Sequence, residues 1–307
     1  MSNGDLFRQR LAAGPPLLLD SAMGTELARR GSRTTLPLWS AWALIEAPEM
    51  VFAIHGDAVA AGADILTANT FRTHRRSLQK AGLGDGARVL TARAVALARR
   101  AAGRAGREVF VAGSLSPLED CYRPDLAPEE SLLLAEHLEQ AQALAEAGVD
   151  VIFAETHNSV RELSAAIRAA REMGLPVVAS MVTDGQGRLL SGEPLDEAAR
   201  EIAFLAPDVI GINCVPPALL SADLDLVARS LPGQPLSAWA NLGPPSDSEQ
   251  THFPEEVAPD TFAGFARGWL SAGARLIGGC CGTTAAHTAA LRAMLDAAGQ
   301  AAGRPSE

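Results

Sequence analysis

Eight short apolar runs recur along the 307 residues, each followed by a polar or glycine-rich turn and most by an alanine-rich stretch. The runs are PLLLD (16–20), ADILTANTF (63–71), EVFVAGSL (108–115), DVIFAET (150–156), PVVASMVT (176–183), DVIGINC (208–214), PLSAWANLG (235–243) and ARLIGGCC (274–281). Stretches such as LTARAVALARRAAGRAG, SLLLAEHLEQAQALAEAG, VRELSAAIRAAREMG and AAHTAALRAMLDAAG have helical spacing, and several end in a glycine suited to a C-cap. Eight strand–helix units predict an α/β chain folded as a single-domain (β/α)8 barrel, a fold of typically about 250 residues. The expected domain covers residues 1–295, with longer loops after the first strands. Residues 296–307 are expected to form a flexible tail. The competing fold is a doubly wound open sheet, which usually carries a glycine fingerprint after its first strand. DSAMGTEL, after the first run here, is not G-x-G-x-x-G.

Charge and hydropathy narrow the function classes. The formal charge is −10, and Lys80 is the one lysine. No basic run exists, which argues against nucleic acid or a polybasic membrane contact. No segment approaches about 18 uninterrupted apolar residues, so no membrane span is expected. The N-terminal MSNGDLFRQRLAAGPPLLLD reads as the approach to a first strand rather than a signal peptide. Apolar residues make up 48% of the chain, enough for a large core. Four cysteines are too few for a disulfide scaffold in a chain this long, so a cytoplasmic setting is expected.

In such barrels the chemistry sits at the C-terminal ends of the strands. Those ends hold Asp20, Asn69, Ser114, Glu155, the segment Ser180 to Thr183, Cys214, Asn241, and Cys280 with Cys281. Three of the four cysteines thus meet at one rim, from the sixth and eighth runs. Three thiolates with one open position make a zinc site of catalytic type, because a structural site fills its fourth position with protein. Sulfur ligands also suit Cu(I) and iron–sulfur clusters, but a cluster usually wants four cysteines. Adjacent Cys280 and Cys281 would point to opposite faces of a regular strand. The backbone is therefore expected to leave strand geometry there, with Gly278, Gly279 and Gly282 supplying the freedom.

Plainer roles stand beside these. Cys121 reads as a packed side chain. His157, just past Glu155, is the alternative metal ligand. Glu155 has a second reading as a helix N-terminal charge, and Asp20 as a loop brace. A barrel whose metal only stabilises it, and a thiol oxidoreductase using Cys280 and Cys281, are the rival functions. The second is disfavoured because the pair is adjacent rather than C-x-x-C.

The motifs DSAMGTEL (20–27), LPLWSAWALIEAPEMV (36–51), AGADILTANTF (61–71), AET (154–156), SGEPL (191–195), GINC (211–214) and GGCCGTT (278–284) resemble those of the homocysteine S-methyltransferases. These are zinc-dependent barrels that include betaine-, S-methylmethionine- and cobalamin-dependent methyltransferases. The resemblance runs from about residue 16 to 295, and GINC followed by GGCCGTT is its specific part. It implies Zn2+ on Cys214, Cys280 and Cys281, and Glu155 holding the substrate amino group. It also implies that Asp20, at the end of the first strand, joins the substrate site; Asn69, Asn241 and Thr283, in the matching motifs, are further expected contacts. The chain departs from the family pattern at Ser21, Ala68, Trp239-Ala240 and Leu242, and in Pro244-Pro245.

The implied reaction is methyl transfer from a small onium donor to homocysteine, giving methionine. A thiol of pKa about 8.5 is mostly protonated at pH 7, and zinc coordination deprotonates it. An anionic rim favours a cationic donor, and Trp39, Trp42 and Trp239 offer it cation–π faces. The length leaves no room for folate or cobalamin domains. It therefore favours S-methylmethionine or S-adenosylmethionine over betaine. A selenol or another thiol acceptor is an alternative.

Overall fold

The computed structural model describes residues 2–243 and 257–302. Each of the eight apolar runs holds a strand: β1 (Leu17–Leu18), β2 (Ile65–Ala68), β3 (Phe110–Leu115), β4 (Val151–His157), β5 (Val177–Met181), β6 (Val209–Asn213), β7 (Leu236–Ala240) and β8 (Ala274–Gly279). They form one parallel sheet whose spatial order follows the sequence, with β1 beside β8. A parallel bridge between Leu19 and Ile65 closes the ring between β1 and β2. Two backbone bonds support it, Asp64 N to Leu18 O at 2.7 Å and Asp20 N to Ile65 O at 3.1 Å. The fold is a single (β/α)8 barrel, and an open doubly wound sheet is excluded.

Side chains alternate along each strand because the pleat has period two. Leu17, Ile65, Phe110, Phe153, Val178 and Leu276 belong to the cluster that fills the barrel. Their neighbours Leu18, Leu66, Val111, Ile152, Ala179 and Ile277 pack outward under the helices. Phe153 stacks on Trp239 with ring centroids 5.6 Å apart.

The N-terminal segment forms a helix, Asn3–Ala13, that the sequence reading did not anticipate. Ser2 caps it by accepting from Asp5 N, and the Asp5 side chain bonds back to Ser2 N. Phe7 and Leu11, one turn apart, join the interior cluster, and Phe7 meets Phe110 edge-on at 5.4 Å. The helix thus plugs the end of the barrel opposite the chemistry. Its signals were the Ser-x-x-Asp cap and the i, i+4 apolar pair.

That same end carries a repeated acid. Asp64, Asp150 and Asp208 precede β2, β4 and β6. Each accepts the backbone N–H of the neighbouring odd strand, from Leu18 at 3.0 Å, Val111 at 2.7 Å and Val177 at 2.8 Å. Arg292, Arg99 and Arg8 pair with them in the same order. Acids at the N-terminal ends of strands therefore hold register.

The final helix runs Ala285–Ala302, past the domain end expected at 295, and residues 303–307 lie outside the described residues. Its alanine-rich composition favours continuation. Among the described residues no helix is long and apolar enough to cross a membrane.

Candidate active site

A cavity opens at the C-terminal ends of the strands. Asp20, Asn69, Ser114, Glu155, Cys214, Cys280 and Cys281 all line it. The three cysteine sulfurs lie within 4.8 Å of one another. Cys280 Sγ is 2.8 Å from Cys214 Sγ, and Cys281 Sγ is 3.8 Å from it. All three are free thiols. The Tyr122 hydroxyl donates to Cys214 Sγ at 3.6 Å. With Cys280 and Cys281 also beside it, the Cys214 thiol is held well below its ordinary pKa, and Cys280 and Cys281 are held above theirs. Such a group is able to hold a metal ion.

The backbone reaches this arrangement by two irregularities. Cys214 has φ +58°, a left-handed conformation that is strained for a residue with a Cβ, costing on the order of 1–3 kcal/mol. This turns its sulfur from the outward phase of β6 toward the cavity. Gly282, at φ +84°, turns the chain just past Cys281. Gly278 and Gly279, expected to supply the same freedom, instead stay in β8. Their role is close approach: a Cβ at Gly279 would lie 2.2 Å from Thr283 Oγ1, and one at Gly278 would lie 2.5 Å from Leu19 Cβ.

Polar side chains hold these turns. Asn241 Nδ2 donates to the Cys214 carbonyl at 3.0 Å, and Thr283 Oγ1 donates to the Cys280 carbonyl at 2.7 Å. Neither residue lines the cavity. Asn69 does line it, but its Oδ1 accepts from Ser40 Oγ at 2.6 Å and its Nδ2 donates to Ser40 O at 2.9 Å. It therefore ties the loop after β1 to β2. Thr156, after Glu155, is also left-handed, at φ +61°. Asn213 Oδ1 accepts its N–H at 2.9 Å, and Asn213 Nδ2 donates to its hydroxyl at 2.7 Å. Asn213, Tyr122 and Arg72 were not singled out from sequence. Asn213 stood in GINC and Arg72 directly after ANTF, while Tyr122 sits in a loop with no pattern.

Glu155 faces inward in phase with Val151 and Phe153 on β4. It accepts a hydrogen bond from Ser114 Oγ. Burial pushes its carboxyl up to about 7, against the Ser114 bond, and the nearby Cys214 adds to the rise. Asp20 Oδ2 accepts from Thr67 N at 2.9 Å. Burial pushes Asp20 up to about 8, and Glu155 raises it further. His55 Nδ1 lies 3.9 Å from Asp20, but burial lowers His55 to about 4, so both groups are neutral near pH 7.

A stability test follows from Asp20. An acid with a raised folded pKa keeps its proton in the native state while the unfolded chain has lost it. Its stabilising contribution is full below about 4 and is lost as pH rises to about 8. Asp20→Asn is therefore expected to gain stability relative to wild type between pH 5 and 8, with a limiting slope of about 1.4 kcal/mol per pH unit. Urea unfolding at the two pH values checks this, and an unchanged difference between the two proteins would refute it.

Two expectations are corrected. His157 is fully buried away from the sulfurs, with Nε2 bonded to Leu115 O at 3.1 Å and its ring beside His137. It is not part of the cysteine group. Trp42 does not line the cavity, and the Arg33 guanidinium sits over its ring at 3.5 Å. Leu242, one of the departures from the family pattern, packs behind Cys281 and donates its N–H to the Cys281 carbonyl, while Pro244-Pro245 lie outside the described residues. Trp39 and Trp239 line the cavity, and Ser21 and Ala68 do as well. Cys121 is buried at the cavity wall, where burial pushes its thiol up, and stands outside the three-sulfur group.

Residues 17–295 match the family model of the homocysteine S-methyltransferases. A homocysteine S-methyltransferase of Escherichia coli is 33% identical over 320 residues, covering 95% of this chain and 99% of its own. The homocysteine S-methyltransferase YbgG of Bacillus subtilis is 31% identical over 292 residues, covering 88% and 91%. The crystal structure of the E. coli homocysteine methyltransferase MmuM in its metallated form superposes with a TM-score of 0.80 at 30% identity, covering 94% of this chain and 99% of that one. A closed barrel, three cysteine sulfurs at its rim and a family match across nearly the whole fold lead to one assignment: the chain belongs to the homocysteine S-methyltransferase family.

Proposed function

We propose that this protein is a zinc-dependent S-methyltransferase that moves a methyl group from a small sulfonium donor to homocysteine, giving methionine. The observation that carries the reading is the meeting of Cys214, Cys280 and Cys281 in a cavity that also holds Glu155 and Asp20. The sulfurs suit zinc. Tetrahedral sites with Zn–S near 2.3 Å have sulfurs about 3.8 Å apart. Cys214 and Cys281 already have that spacing at 3.8 Å, and Cys280, at 2.8 Å, needs to swing outward by about 1 Å. Three protein thiolates leave one position for a substrate sulfur. Zinc there supplies deprotonation of the thiol at neutral pH while keeping the sulfur nucleophilic.

The chain's own residues do the rest by placement. Glu155 takes the substrate ammonium, which favours its ionised form and offsets the cost of burial. Asp20 offers a second carboxyl on the same side, which a bound ammonium draws toward its ionised form. Asn241 and Thr283 act through Cys214 and Cys280, whose carbonyls they hold, and Asn69 acts through the loop at Ser40. A sulfonium leaves as a neutral thioether, so no acid is required and orientation dominates the rate. S-Methylmethionine is the first donor, S-adenosylmethionine the next and betaine the poorest. The homocysteine-binding unit is residues 1–295, in a cytoplasmic setting where thiols stay reduced.

A selenol or another thiol acceptor, and a barrel whose metal has no transfer role, are the other readings. Protein purified without added zinc is expected to hold about one zinc per chain by elemental analysis. It is expected to form methionine in the donor order above, at equal donor concentration with reduced homocysteine. Active protein without zinc overturns the metal. Turnover with betaine alone overturns the donor class. Bound zinc with no turnover from any donor supports the structural-metal reading.

A further inference from the structure

Among the described residues, one guanidinium lines the cavity that holds Asp20 and Glu155. Arg72 lines it beside Phe71 and is 7% exposed. Among the described residues its one hydrogen bond runs from Nη1 to the Glu119 carbonyl at 2.9 Å, and it forms no ion pair. Arginine stays charged at any working pH, and buried charges are normally paired. A buried arginine that faces a cavity with most of its donors unused is a seat for an anion, and the planar fork matches a carboxylate.

The surroundings separate this seat from the acceptor. Phe71 meets Trp39 edge-on at 6.1 Å, and Met23 and Leu36 line the same cavity, an aromatic and apolar wall suited to an onium methyl group. Glu155, by contrast, sits with Ser114, Trp239 and Cys214. The ammonium and carboxylate of homocysteine share one carbon. With the ammonium on Glu155 and the sulfur at the cysteines, the acceptor occupies that side of the cavity, and the aromatic wall with Arg72 is left for the donor.

We infer that Arg72 anchors the carboxylate of the methyl donor, so that the site selects onium donors that carry a carboxylate. This rests on the methyl-transfer reading above and names its specificity residue.

Calorimetric titration of the zinc-loaded protein tests it without needing turnover. The probes are S-methylmethionine against S-methylmethioninamide, and betaine against choline. Wild type is expected to bind the carboxylate member of a pair about 10- to 100-fold more tightly. Arg72→Gln is expected to erase that preference, and Arg72→Lys to keep part of it. Homocysteine affinity and zinc content are expected to stay at wild-type values in both variants. If Arg72→Gln loses zinc, the wild-type comparison and Arg72→Lys decide. A preference that survives in Arg72→Gln overturns the proposal, as does failure of both carboxylate probes to bind wild type. Weakened homocysteine binding with unchanged donor binding moves the anchor to the acceptor and overturns the donor assignment. Failure of the methyl-transfer reading appears separately, as absence of methionine in the turnover assay.

Discussion

Cys214→Ala is expected to lose most of its zinc and, with it, methyl transfer. Cys214 stands at the centre of the sulfur group, with Cys280 at 2.8 Å, Cys281 at 3.8 Å and the Tyr122 hydroxyl at 3.6 Å. Its removal leaves two sulfurs on one strand end, and two ligands hold zinc far less well than three. Residues that merely orient a metal ligand cost roughly 10- to 100-fold in affinity or activity when replaced, so loss of a ligand is expected to exceed that range. Elemental analysis after dialysis measures the metal, and methionine formation measures the activity. The fold should survive, because the barrel core lies in a cluster below the rim. Alanine is no more comfortable than cysteine in the left-handed conformation at this position, so the unfolding free energies of the two proteins without metal are expected to differ little. Normal zinc retention in this variant would take Cys214 out of the ligand set and leave the convergence of the sulfurs without a metal to explain it.

Glu155→Gln is expected to weaken homocysteine binding by about 1–3 kcal/mol, while zinc content stays constant. The reason is the charge-assisted bond between the carboxylate and the substrate ammonium, made at a buried side chain. Glutamine keeps the shape and can still meet the Ser114 hydroxyl, so packing on β4 is preserved. Because burial raises Glu155 to about 7, the wild-type affinity should fall as pH drops below that value, and the variant should lose this part of the pH dependence. Isothermal titration with homocysteine at pH 6 and pH 8 measures both effects. A fall in zinc with unchanged homocysteine affinity would make Glu155 a structural residue.

The two predictions differ in how they were reached. That Cys214, Cys280 and Cys281 meet follows from eight repeats and the rule that ends of parallel strands share a rim. In the folded chain β7 lies between β6 and β8, so the sulfurs bridge across one strand. The inward phase of Glu155 likewise follows from counting alternate residues along DVIFAET. The N-terminal helix escapes the sequence reading because a single i, i+4 apolar pair in eleven residues carries little periodic signal. It forms because Phe7 and Leu11 have a barrel mouth to fill.

The polar residues around the site divide in the same way. Asn69, Asn241 and Thr283 are polar groups at strand ends, and sequence places them beside the substrate. The tertiary structure occupies their donors with backbone: Ser40 O for Asn69, Cys214 O for Asn241 and Cys280 O for Thr283. Arg72 shows the reverse. From sequence it is one of many arginines, and only the packed cavity leaves it buried with no acid partner among the described residues. The sequence by itself determined the barrel, the rim and the set of thiols, because periodicity and residue type are local and survive any detail of packing. The tertiary structure decided which polar atoms remain free to act. A hydrogen bond is settled by distances of a few tenths of an ångström between segments far apart in the chain, such as Asn69 and Ser40 or Asn213 and Thr156, and no local pattern records those distances.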